Sequence, residues 1–395
     1  MRGILYLAWR YLAYHRLKSA ILIGSIALIL YLPIGLRVLV DQSSVRLTAR
    51  ARATPLIIGA QGSALELALN TLYFSAERPE SLNYAEVGRV MDSRLAMAIP
   101  LYVRFRVRGQ PIVGTTLDYF GFRGLRLVAG QQMATLGECV LGARAAGILG
   151  AGPGDAVVSS PESAFDLAGV YPLKMNVAGV LAFADGPDDD AVFVDLKTAW
   201  IIEGLGHGHQ DLARPEAAGA VLSRQVDSIV ANASVVQYNE INDDNIDSFH
   251  FHGDLAENPL SAVIVVPPDQ KSSALLQGRY RSEAERVQMI APSAVIDELL
   301  ATILTVRSFV TAGAVILGLA TLATTALVFL LSLRLRRRER LTLFKIGGSR
   351  GGVTGIMASE IIAVLILGGL LAAAMTLLTA HFGSQALRAA IRHWG

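Results

Sequence analysis

Residues 309–333 run for 25 positions without one charged side chain. A helix rises about 1.5 Å per residue. Such a run outlasts the roughly 30 Å hydrocarbon core of a bilayer and is expected to tilt within it. Two further apolar runs accompany it. Residues 20–40 carry Arg37 near one end, where its stem can snorkel to the interface, and residues 361–380 are preceded by Glu360. A mean hydropathy of +0.45 and a charged fraction of only 17% point the same way. The expected fold class is a membrane protein with three transmembrane α-helices plus a large α+β extracytoplasmic domain.

The flanking charges orient these spans. Arg2, Arg10, Arg16 and Lys18 precede the first, and Arg334, Arg336, Arg337, Arg338, Arg340, Lys345 and Arg350 lie between the second and third. The positive-inside rule puts both segments in the cytoplasm, which leaves residues 41–308 outside. The organisation read from the chain is a cytoplasmic amphipathic segment over 1–19, a span over 20–40 and the outer domain over 41–308. A span over 309–333, a cytoplasmic loop over 334–360, a span over 361–380 and an outer tail over 381–395 follow. In the first segment Ile4, Leu5, Leu7, Ala8, Tyr11 and Leu12 stand among basic residues, as in a helix lying on membrane lipid. The first apolar run exceeds the core of a cleavable signal peptide, and no small-x-small site follows it directly. In the tail, Ala386, Leu387, Ala390, Ile391 and Trp394 share a helical face largely opposed to Arg388 and Arg392, which suits the interface.

A net charge of +2 argues against nucleic acid as a partner. The single cysteine, Cys139, permits neither an intrachain disulfide nor a zinc ribbon, so the outer domain must rely on its apolar core. Strands are expected over 111–116, 173–181, 191–194 and 262–266, and helices over 64–73, 142–149 and from Val295 into the second span. Turns are expected at Gly152-Pro153-Gly154-Asp155 and Asp185-Gly186-Pro187-Asp188.

The chain contains no GxxxxGK[ST] loop, no dinucleotide fingerprint, no GxSxG elbow and no HExxH pair. It is therefore expected to be a non-catalytic subunit with no nucleotide cofactor of its own. One metal-like feature stands out. Four of seven histidines fall in two short motifs, His207 and His209 in GHGH and His250 and His252 in FHFHGD. On a strand, side chains two apart share a face, so each pair can present two imidazoles together. With Asp254 or Asp211 they can hold zinc or copper. The alternative is a hydrogen-bonded polar lobe with Phe249 and Phe251 filling the core. The metal reading makes the chain a membrane-tethered metal-binding or sensory domain.

The loop 334–360 reads RLRRRERLTLFKIGGSRGGVTGIMASE. Residues 340–346 suit a short helix broken at Gly347-Gly348. Such a helix across the inner surface is either a docking element for a cytoplasmic partner or only a positive anchor. Glu360 is an ionisable group at a membrane boundary, a candidate for coupling or helix pairing, or simply a partner for the nearby arginines.

The run from Glu339-Arg340-Leu341 through Lys345-Ile346-Gly347-Gly348-Ser349-Arg350 resembles the corresponding run of FtsX-like permeases of the MacB type, a branch of the ABC transporters. Glu360 and Leu367-Gly368-Gly369-Leu370 resemble the start of that family's next span. In the outer domain, Ile112-Val113-Gly114-Thr115-Thr116, Asp118-Tyr119-Phe120, Val140-Leu141-Gly142, Pro153-Gly154-Asp155, Val177-Ala178-Gly179-Val180-Leu181 and Val192-Phe193-Val194 resemble the MacB-like periplasmic core in order. The family has four spans, whereas three are legible here. The resemblance implies a homodimeric permease subunit of the bacterial inner membrane, multi-pass, with its N-terminus in the cytoplasm. It implies a cytoplasmic P-loop ATPase partner that binds ATP and magnesium and makes contact through Glu339, Arg340, Leu341, Leu343, Phe344, Lys345 and Ile346. It also implies a periplasmic adaptor or substrate protein, acted on when ATP-driven motion reaches the outer domain.

Overall fold

The structure is a computed structural model. It describes every residue except 1–5, 7, 8, 11, 78, 161–171, 210–220, 225–228, 232–237, 283–285, 336–344, 346–349 and 395. The chain divides into a unit formed by residues 1–49 and 298–395 and a second unit formed by residues 50–297.

The first unit is helical. Its residues come from the helices Arg16–Arg52, Pro292–Leu335 and Arg350–Trp394. Among the described residues two stretches are long and apolar enough to cross a membrane, Ser19–Val38 and Ala358–Phe382, and Thr311–Thr324 is a shorter apolar stretch. Leu12, Ile26 and Val364 are buried together, and the hydroxyls of Tyr31 and Thr379 lie 2.8 Å apart. Two boundaries differ from the sequence reading. The last apolar stretch begins at Ala358, so Glu360 lies inside it instead of ahead of it, and its side chain is buried. Residues 385–394, expected as a separate interfacial tail, continue the Arg350–Trp394 helix. No proline interrupts that stretch, so nothing in the sequence forces a stop.

The second unit is built on one mixed sheet. In chain order its strands begin with β1 (Leu56–Ala60), β2 (Leu82–Asn83), β3 (Met97–Val107) and β4 (Gln110–Thr115). There follow β5 (Leu127–Gly130), β6 (Glu138–Leu141), β7 (Ala156–Val158), β8 (Lys174–Leu181) and β9 (Val192–Asp195). Then come β10 (Gly206–Gly208), β11 (Val221–Arg224), β12 (Ile229–Ala231) and β13 (Phe249–Phe251), and finally β14 (Pro259–Leu260), β15 (Ala262–Val266) and β16 (Val287–Ile290). The main sheet runs β16-β1-β15-β3-β4-β9-β6-β8-β5, with β7 added on β8. Among the described strands only β4 with β9 and β6 with β8 pair in parallel. Three two-stranded pairs, β10 with β13, β11 with β12 and β14 with β2, complete the strands.

Each central strand feeds two cores, because successive side chains leave opposite faces. Ile112, Cys139, Leu141, Val192, Val194, Val263 and Val265 point into one cluster, while Val113, Val140, Phe193 and Ile264 point into the other. A sheet covered on both faces needs strands that are apolar throughout, and Val192-Phe193-Val194 and Val263-Ile264-Val265 are such runs. By contrast β8 alternates, with Met175, Val177 and Leu181 buried and Lys174 and Asn176 half-buried.

Helix ends follow local chemistry. The Oγ of Ser63 accepts the amide of Glu66 at the start of the Ala64–Tyr73 helix, and the carboxylate of Asp195 accepts the amide of Lys197 ahead of Leu196–Glu203. The Ala143–Leu149 helix starts at Gly142, which packs against the backbone of the 3-10 turn Pro187–Asp190. A Cβ on Gly142 would overlap the carbonyls of Asp188 and Asp189, so only glycine fits the close approach.

Candidate functional site

The two histidine motifs meet. Strands β10 and β13 pair antiparallel with Gly206 opposite Phe251, His207 opposite His250 and Gly208 opposite Phe249. The pattern explains which way the ribbon faces. A Cβ on Gly206 would lie 2.6 Å from the ring of Phe251, and one on Gly208 would lie 2.6 Å from the ring of Phe249. Each phenylalanine therefore covers the glycine across from it. Both rings pack against the domain core, Phe251 meeting Trp200 edge-on with centroids 6.4 Å apart. Period-two alternation then sends the imidazoles to the other face.

On that face the rings crowd one another. Centroids of His207 and His250 are 4.8 Å apart, those of His207 and His252 5.0 Å, those of His250 and His252 4.8 Å, and those of His209 and His250 5.2 Å. One ligand nitrogen from each of His207, His209 and His250 lies within 4.8 Å of the other two. The three are half-buried and His252 is exposed at the rim. The Nδ1 of His250 is 2.9 Å from the carbonyl oxygen of Ser248. A carbonyl only accepts, so Nδ1 carries the proton, and in the neutral ring Nε2 keeps its lone pair. Partial burial, followed by the charges of His250, His252 and His209, holds His207 below the ordinary histidine range. The favoured form is the neutral one that can ligate a metal. Of the two acids named with the cluster, Asp254 caps a 3-10 turn by accepting the amide of Ala256 at 2.9 Å, and Asp211 lies outside the described residues.

A second polar assembly lies in the same unit, buried at Asp188 and Asp189 and half-buried at Arg144 and Asp190. Arg50 donates from Nη1 to Asp188 Oδ2 at 2.6 Å and from Nη2 to Oδ1 at 3.0 Å. The hydroxyl of Tyr119 donates to the same Oδ1 at 2.7 Å. Asp189 and Asp190 are held by Arg144, at 2.9 Å and 2.8 Å. Asp189 also accepts the amides of Ala184 and Gly186. Two arginines thus bind three successive carboxylates. Burial raises the Asp188 carboxyl, but the hydrogen bond and charge of Arg50, the Tyr119 hydroxyl and the charge of Arg123 outweigh it, and the group is held below the usual carboxylate range. An ion pair buried and bonded in this way reads as a structural clasp. Cys139 is equally closed: burial, then Glu138, pushes its thiol up to about 12, so little nucleophilic thiolate forms.

No protein-family model matches the chain, and no curated protein matches it by sequence. Solved structures are similar, among them the following two. The periplasmic region of MacB from Actinobacillus actinomycetemcomitans aligns with 63% of this chain and 94% of its own length, at 10% identity and a TM-score of 0.37. The extracellular domain of the noncanonic ABC-type transporter YknZ from Gram-positive bacteria aligns with 60% of this chain and 98% of its own length, at 12% identity and a TM-score of 0.33.

The predicted residues fare differently from one another. His207, His209, His250 and His252 come together as described. Glu339, Arg340, Leu341, Leu343, Phe344 and Ile346 lie outside the described residues, while Lys345 is helical and exposed. The Arg50–Asp188 assembly was missed by the sequence reading. The Gly186-Pro187 pair was legible as a turn, and three aspartates following it were the available signal that a cation must come to them.

Proposed function

We propose that this chain is the transmembrane subunit of an ABC-type transporter, worked by a separate cytoplasmic P-loop ATPase. The observation that carries the reading is the order of parts. A basic N-terminal segment and an apolar helix precede one large α+β unit, and an apolar helix follows an arginine-dense stretch at 334–350. Positive flanks at both places put them on the cytoplasmic side of a bacterial inner membrane and the α+β unit outside. The stretch 309–333 supplies the third crossing that this orientation needs. The resemblance of residues 339–350 to the docking run of FtsX-like permeases of the MacB type supports contact with the ATPase there. Two copies of the chain then flank a pair of ATPases, and ATP-driven closure inside is passed by the helices to the outer domains. Those domains act on a periplasmic adaptor or substrate protein, so the spans work as levers and not as a pore.

The test is co-purification of the full chain with the ATPase subunit encoded beside it, followed by charge reversal at the loop. Arg340→Glu with Lys345→Glu is expected to abolish association and stimulated ATP hydrolysis while leaving membrane insertion intact. Undiminished association in that variant would remove the docking assignment. Absence of any ATPase partner would remove the transporter reading.

A further inference from the structure

We infer that His207, His209 and His250, with His252 at the rim, form a site for a divalent late first-row transition metal, zinc or copper, which staples the β10–β13 ribbon of the α+β unit. The inference stands apart from the transporter reading, since it depends only on the ribbon.

Three observations carry it. First, the pairing register sets His207 directly opposite His250, and His209 and His252 each follow two residues on, so the four side chains are offered from one face. Second, the other face is locked. Phe249 and Phe251 lie over Gly208 and Gly206 and against the core, so the ribbon cannot turn its histidines inward. Third, the His250 ring is aimed by a backbone contact of the kind that metal-ligating histidines use. The proton on His250 Nδ1 goes to the Ser248 carbonyl, which leaves Nε2 for a ligand.

Donor chemistry selects the ion. Among the described residues the group offers imidazole nitrogen only, and the one cysteine is buried elsewhere. Such donors suit zinc, copper(II) and nickel, and disfavour magnesium and calcium, which take oxygen. A tetrahedral zinc with bonds of about 2.0 Å wants ligand nitrogens roughly 3.3 Å apart. Three of the nitrogens already lie within 4.8 Å of one another, so closure asks only for rotation of half-buried rings. His207, His209 and His250 supply three ligands and leave the fourth position to water or to His252 at the rim. The metal would join residues 206–209 to 249–252 and so close the long excursion between them.

A polar lobe without metal makes a different prediction from the same residues, and titration of the full chain in detergent separates them. After stripping with a chelator, the protein is titrated with zinc against a chromophoric competitor, and cobalt is substituted to read coordination from its visible absorption. One zinc per chain is expected, with the spectrum of four-coordinate cobalt. His207→Ala and His250→Ala are each expected to weaken binding at least 100-fold. His381→Ala, outside the ribbon, leaves it unchanged. To separate loss of binding from loss of folding, the metal-free melting temperature of each is compared with the parent, and His207→Gln is carried as a milder replacement. Zinc should raise the melting temperature of the parent and not that of the ribbon variants. Binding that stays weak and non-stoichiometric, or survives the double replacement of His207 and His250, overturns the site.

Discussion

Arg50 and Asp188 are 138 residues apart in sequence and joined by two hydrogen bonds of 2.6 and 3.0 Å. Their side chains are 12% and 4% exposed, so neither charge can find water if the other leaves. A bidentate pair of this kind fixes both angle and distance, because the guanidinium fork matches the carboxylate in plane. Tyr119 closes the triangle by donating to Asp188 and accepting from Arg50 at 3.0 Å.

Removing one partner should therefore be costly. Arg50→Ala or Asp188→Ala is expected to destabilise the α+β unit by about 3–5 kcal/mol, since each leaves a buried charge unpaired. The double replacement should cost less than the sum of the two, because the second change removes the charge that the first stranded. Denaturant unfolding followed by Trp200 emission measures both. Strict additivity would mean that the pair is not coupled.

The same pair sets an acid limit. The Asp188 carboxyl is held below its unfolded value, which is about 3.9. Its contribution is thus complete above that value and is lost as the pH falls through the lower folded value. Stability measured from pH 7 down is expected to be flat in this term to about pH 4 and then to fall. In Asp188→Asn the fall should be shallower over that window, from a lower starting stability. An unchanged slope would show that other carboxylates govern acid unfolding.

Gly142 tests the packing beside that turn. An alanine there would drive its methyl into the Asp188 and Asp189 carbonyls, which are backbone atoms and cannot swing aside. Gly142→Ala is expected to cost on the order of 1–3 kcal/mol, as overpacking usually does. Gly147, in the following helix with open space where a Cβ would stand, is the control, and Gly147→Ala should be neutral or stabilising. Thermal melts of the two variants side by side distinguish a local clash from a general loss of glycine.

Much of the α+β unit was legible in the sequence, because its elements obey short-range rules. The helix at Ala64–Tyr73 matches the expected bounds, and Gly142 serves as the cap of the expected helix that follows it. The strands at Gln110–Thr115, Lys174–Leu181, Val192–Asp195 and Ala262–Val266 fall within a residue of expectation at each end. The histidine face was legible from period-two spacing, but the meeting of the two motifs was not, since it depends on a pairing register across some forty residues. Neither was the grip of Arg50 on Asp188. An arginine near the end of an apolar helix reads as a flank charge, and only the folded sheet brings Tyr119 and the aspartate turn to it.

The ribbon described above has an optical consequence. The chain has three tryptophans, Trp9, Trp200 and Trp394, and only Trp200 belongs to the α+β unit. Its indole donates to the Pro259 carbonyl at 2.8 Å and meets Tyr84 and Phe251 edge-on. Phe251 is the residue whose neighbours in sequence are His250 and His252. The α+β unit thus carries a built-in fluorophore one ring away from its imidazoles. Anything that reshapes the ribbon should be readable as a change in the colour or brightness of a single indole, with no label attached.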